Sequence, residues 1–178
     1  MSKTYIFDLE WLVHEGQDIV LDAQSIHCAV FKTLGEDEFT TFAGVSKETN
    51  QLKDWLAANN DCTYIGHNIL TSDLEVMRRL LDIPFTVGPD TIAGKPCTFI
   101  DTLTISRRQF PDRPGTYYQG KMMKGSHGLA NWGIRTGISK PVVHDWVSQP
   151  VEVYLHRCRE DVLNNEATYN MLLEERDR

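Results

Sequence analysis

The chain has 178 residues, 41% of them hydrophobic and 24% charged, which suits a single folded unit spanning 1–178 with a core of its own. A formal net charge of −7 argues against sequence-blind coating of nucleic acid by a basic surface. It leaves room for a nuclease, whose acidic metal ligands count toward that charge and are offset when metal binds.

The run Thr4-Tyr-Ile-Phe-Asp-Leu-Glu-Trp11 reads as a buried strand over about 4–10. Asp8 and Glu10 are two residues apart, so they share one face of it. Two carboxylates side by side on a core strand need a positive partner, and a divalent metal is one. Further strands are expected at 25–33 and 38–43, joined by the turn residues Gly35-Glu-Asp37 in a meander. A helix follows at about 47–59, with Ser46 as N-cap and Leu52, Trp55 and Leu56 as its buried stripe. Cys62 to Gly66 is a short buried strand. The next helix begins near Ser72, where Ser72-Asp-Leu-Glu75 has the form of a capping box. Thr98 to Leu103 reads as another strand, and 107–125 as a long loop rich in Pro, Gly, Tyr and basic residues. A short helix lies between Gly128 and Gly137, with Gly137 ending it. From about 150 a long amphipathic helix carries Val151, Tyr154, Cys158, Val162, Tyr169 and Leu172 as its apolar stripe. This order predicts an α/β layered domain.

Four cysteines, Cys28, Cys62, Cys97 and Cys158, form no C-x-x-C pair. That speaks against a zinc knuckle or redox motif and for reduced thiols. No apolar signal region opens the chain and no stretch is long enough to span a membrane, so a cytoplasmic protein without membrane partners is expected.

Two more acids matter. Asp73 falls in the first turn of a helix, where an acid also favours the helix dipole. Asp161 falls seven residues after Tyr154, near the apolar stripe of the last helix, where a carboxylate needs a partner or a metal. Glu160 and Glu166 read as solvent-facing charges. Asn68 suits a hold on the helix entry, a contact to a terminal nucleotide or an ordinary turn residue, and His67 beside it is a weaker candidate. Asp101, at a strand end, reads as structural. Arg107, Arg108, Arg113, Lys121 and Lys124, with Tyr117 and Tyr118 among them, suit a flexible single strand or else form a solvated loop.

Taken together, Asp8, Glu10, Asp73 and Asp161 resemble the four acids of the DEDD superfamily of 3′–5′ exonucleases, in the family order and over nearly the whole chain. The stretches Ile65-Gly-His-Asn68 with Asp73, Ile100-Asp-Thr-Leu-Thr-Ile-Ser106 and Gly125-Ser-His-Gly-Leu-Ala-Asn-Trp-Gly133 look similar to the proofreading exonuclease domain of phage family-A DNA polymerases. The resemblance implies an RNase H-like fold, with a mixed sheet of about five strands flanked by helices. It implies two divalent cations, Mg²⁺ or Mn²⁺, held by Asp8, Glu10, Asp73 and Asp161. The implied activity is 3′–5′ removal of nucleotides from single-stranded DNA ends. That suits a free-standing proofreading component with a separate polymerase, in the cytoplasm of a bacterial host if phage-encoded.

Ser126 and His127 match the proofreaders as substrate contacts, although Ser126 also suits a cap for the helix at 128. Two departures stand out: Ser72 replaces the usual aromatic before Asp73, and Arg157 replaces the usual Tyr four residues before Asp161. Arg157 stays protonated and is no base. His156, five residues before Asp161, has the spacing of the histidine branch and is the expected base. In a continuous helix it would point about 140° from Asp161, so it reaches the site only from a loop or a frayed turn. Alternatives are an exoribonuclease on short RNA, and a non-catalytic exonuclease-like module gripping a polymerase or nucleic acid.

Overall fold

Alternation along one strand divides the molecule into two packed layers. The computed structural model describes residues 3–45, 51–82, 91–92, 95–123, 126–138 and 140–178. Strand β1 (Thr4–Leu12) is central, and its odd residues Tyr5, Phe7 and Leu9 enter one core with Phe31, Tyr64 and Met77. Ile6 points the other way, into a second core with Cys28, Val30, Ile65, Tyr154, Cys158 and Val162. Asp8 and Glu10 share the parity of Ile6 and lie opposite Val30 and Cys28, so they face the second layer.

β2 (Ser25–Thr33) and β3 (Phe39–Val45) complete an antiparallel meander. Helix α1 (Gln51–Ala58) buries Leu52 and Leu56. Ser46 and the first residues of the expected helix lie outside the described residues. β4 (Thr63–Gly66) runs parallel to β1. Gly66 ends it against Ile69: a Cβ there would sit 2.1 Å from Ile69 Cγ2, so only glycine lets the chain turn this tightly into helix α2 (Asp73–Leu81). The short strands β5 (Thr91–Ile92) and β6 (Lys95–Pro96) pair with each other, and β7 (Thr98–Asp101) runs parallel to β4. The main sheet is thus five-stranded and mixed, in the order β3-β2-β1-β4-β7.

The expected strand to Leu103 stops early, and helix α3 (Thr102–Gln109) occupies ground read as strand and loop. The reason is a cap. The Asp101 carboxylate accepts from Leu103 N at 2.9 Å and Thr104 N at 3.2 Å, so helix starts despite the β-branched Thr102 and Thr104. Ser72 shows the reverse. It precedes α2 but makes no side-chain cap, because its hydroxyl lies 2.6 Å from both the Asn68 carbonyl and Asp73 Oδ2 and shares its one proton between them. The expected loop also contains a hairpin, β8 (Tyr117–Tyr118) and β9 (Lys121–Met122), turned through Gln119 and Gly120 at φ 49° and 76°. Helix α4 (Leu129–Thr136) follows, and Gly137 ends it in the left-handed region as expected.

Helix α5 (Val151–Arg176) lies across β1 and β2. Lys32 Nζ and Glu166 Oε2, 2.6 Å apart and largely buried, pin it to the sheet, so Glu166 is no free surface charge. Cys158 Sγ–H donates to the Asp8 carbonyl at 3.1 Å, which sets Asp161, one turn further on, over the carboxylate face of β1. No disulfide forms among the described residues. Among them, no helix is long and apolar enough to cross a membrane.

Candidate functional site

Asp8 and Glu10 from β1 and Asp161 from α5 converge, with one potential ligand oxygen from each lying within 4.8 Å of the others. A register shift in the β1–β2 pairing between Glu10 and Trp11 bends the strand where the carboxylates emerge. Glu10 is 9% exposed and Asp161 4%. Burial, then the neighbouring Asp161 carboxylate, pushes the Glu10 carboxyl up to about 8, against the pull of Arg157 and Lys140. Asp8 is raised well above the usual carboxylate range by the same burial and by the charges of Asp161, Asp73 and Glu10.

Two cations share this crowded ground. Arg157 Nε is 2.9 Å from Asp161 Oδ2 and 3.5 Å from Glu10 Oε1, and its Nη1 donates to the Pro141 carbonyl. Lys140 Nζ is 2.9 Å from the same Asp161 Oδ2. Asp161 Oδ1 is buried with no hydrogen-bond partner. A buried carboxylate oxygen left unpartnered among acids is a donor suited to a hard cation, so these residues fit a divalent metal.

Asp73 is 3% exposed and stands beside this triplet rather than within it. Its Oδ1 accepts from Leu9 N at 3.1 Å and its Oδ2 from Ser72, which ties the start of α2 to β1. Burial raises its carboxyl to about 6 even though these bonds favour the ionised form. The four acids line one cavity of about 350 Å³, shared with His67, Asn68, Lys140 and Arg157. Its apolar wall is Trp11, Ile19, Val20, Leu129 and Trp146.

Asn68 sits at φ 63°, a conformation asparagine tolerates, and its N–H donates to Asp101 Oδ1 at 3.0 Å. Leu70 N donates to Asp101 Oδ2, so Asp101 braces this loop as well as capping α3, the structural role expected of it. His67 Nδ1 is 2.9 Å from Thr102 Oγ1, whose hydroxyl lies 2.7 Å from Asn165 Oδ1. His67 Nε2 is buried and without a partner. Burial, with the charges of Lys140 and Arg107, lowers the imidazole to about 3, so it stays neutral.

His156 is not at the site. α5 is continuous from Val151, and His156 is exposed on it, while Asp161 is buried. The helix does not fray where the histidine would need it to, and a regular helix turns the two residues about 140° apart. Ser126 and His127 are engaged elsewhere: the Ser126 carbonyl accepts from Arg135, and His127 Nδ1 pairs with Ser106 Oγ at 2.9 Å. Ser126 does not cap α4, whose N-cap is Gly128. Arg107, Arg108 and Lys121 are exposed and do not line the cavity. Lys124 lies outside the described residues.

No pattern in the sequence singled out Lys140 or Trp146, or gave Arg157 a place beside the acids. The requirement that buried carboxylates find positive partners was the available signal, but it names no residue. Comparison with models of protein families and with curated proteins gives no match for this chain.

Proposed function

We propose that this chain is a metal-dependent 3′–5′ exonuclease of the DEDD superfamily, RNase H-like in fold, acting on single-stranded DNA ends. One observation carries the reading. Asp8, Glu10 and Asp161, from the first strand and the last helix, meet within 4.8 Å, and Asp161 Oδ1 has no partner. The mixed five-stranded sheet with helices is compatible with that fold.

Asp8, Glu10 and Asp161 would hold Mg²⁺ or Mn²⁺, with Asp73 lining the same cavity. A divalent ion supplies Lewis-acid polarisation of a phosphate and lowers the pKa of water. The chain's own groups do the rest. Arg157 and Lys140 bring positive charge to the place where a phosphodiester would gain negative charge. Trp11 and Trp146 on the cavity wall offer faces for a terminal base. With His156 turned away, the proton acceptors among the described residues that line the cavity are the carboxylates. Tyr117, Tyr118 and Lys121 of the hairpin, and Arg107 and Arg108 of α3, are exposed basic and aromatic side chains of the kind that grips a single strand.

The test uses 5′-labelled single-stranded DNA, duplex DNA and RNA, with Mg²⁺, Mn²⁺ or EDTA. Single-stranded DNA should shorten stepwise from its 3′ end with metal and stay intact with EDTA. Asp8→Asn and Asp161→Asn should abolish shortening while keeping the circular-dichroism spectrum of the wild type. Preference for RNA would redirect the substrate assignment, and full activity in either variant would end the proposal.

A further inference from the structure

We infer that Arg157 takes the place of one of the two cations expected at the acid cluster, so that this site binds a single divalent ion. The inference rests on the metal-dependent reading of the site and departs from it in the number of ions.

The geometry is specific. Arg157 is one helical turn before Asp161, and its Nε lies between Asp161 Oδ2 at 2.9 Å and Glu10 Oε1 at 3.5 Å. Its far end is anchored on the Pro141 carbonyl, and its side chain is 14% exposed. A guanidinium held at both ends and between two carboxylates is a cation fixed in place. A hard divalent ion bonds oxygen at about 2.0–2.6 Å, so it cannot share the side of Asp161 Oδ2 that faces Arg157 without expelling the guanidinium. Lys140 occupies the same oxygen at 2.9 Å. What remains for metal is one set of ligands drawn from Asp8, Glu10 and Asp161, with Asp161 Oδ1 unpartnered.

Charge agrees with geometry. Among the described residues, Asp8, Glu10, Asp73 and Asp161 line the cavity with Arg157 and Lys140 as their cations there. With all four ionised, as metal binding requires, two negative charges are left over, and one divalent ion neutralises them. Arg157 is the cation that matters, because it bridges two of the three clustered acids, while Lys140 touches one and is 28% exposed.

The test counts ions instead of turnover. Mn²⁺ binding to the full chain is measured at saturation by calorimetry, and by electron paramagnetic resonance of the free ion. The wild type should bind one Mn²⁺ per chain, Lys140→Gln also one, and Arg157→Gln two. Asp161→Asn should lose the ion. Two ions in the wild type would overturn the inference while leaving the metal-dependent reading intact, and that result needs no variant to fold. One ion in a folded Arg157→Gln would overturn the role given to Arg157. Failure of the wild type to bind Mn²⁺, or retention of the ion by Asp161→Asn, would overturn the inference together with the reading it rests on.

Discussion

Loading metal onto the acid cluster must expel protons, and the pH dependence of that exchange follows from the structure. Burial raises Glu10 to about 8 and Asp73 to about 6, and holds Asp8 well above its ordinary range. A metal needs the ionised carboxylate, so below pH 8 it competes with the Glu10 proton. For Glu10 alone the apparent affinity should tighten about 50-fold between pH 6 and pH 8, close to tenfold per unit at the acid end. Asp8 steepens the dependence further.

The same shifts set the stability of the metal-free protein. Both folded-state values lie above the ordinary 4.5 of Glu10 and 3.8 of Asp73. Their contribution is therefore fully present below 3.8 for Asp73 and below 4.5 for Glu10, and is lost as pH rises through about 6 for Asp73 and about 8 for Glu10. The chelated protein should melt at progressively lower temperature from pH 5 to pH 8, and added Mn²⁺ should stabilise it most at the alkaline end. Calorimetry in buffers of different ionisation enthalpy counts the protons released, and melting with and without EDTA follows stability. An affinity that stays flat from pH 6 to pH 8, with heats independent of the buffer, would refute the reasoning.

Two further outcomes are expected. His156→Ala should keep kcat/KM within about twofold of the wild type, because the ring is exposed away from Asp161; a loss of about 100-fold, the scale of a missing general base, would return it to the site. Gly66→Ala should destabilise the fold by about 1–3 kcal/mol in urea unfolding, because the new Cβ would overlap the buried Ile69. An unchanged urea midpoint would show that the loop relaxes freely.

Strand parity and helical stripe are legible in the amino-acid sequence. The apolar run Tyr5-Ile6-Phe7 marked a buried strand whose two-residue period puts Asp8 and Glu10 on one face, and the stripe through Tyr154, Cys158 and Val162 set Asp161 beside the core. β2 matches its expected bounds, Ser25–Thr33, because its apolar run is bounded by turn residues. Helix α3 was missed because its start depends on one cap, Asp101, whose side chain competes with continued strand pairing. The hairpin was missed because each of its strands is two residues long, too short to show a period.

Local chemistry therefore determined which acids exist, which faces they occupy and which elements carry them, because side-chain period is a property of each strand or helix alone. Tertiary structure decided which of those faces meet. It left His156 outside by continuing α5 through it, and brought Arg157 and Lys140 onto Asp161. Partners for a buried charge are chosen by packing between distant segments, and no period in the sequence records that choice.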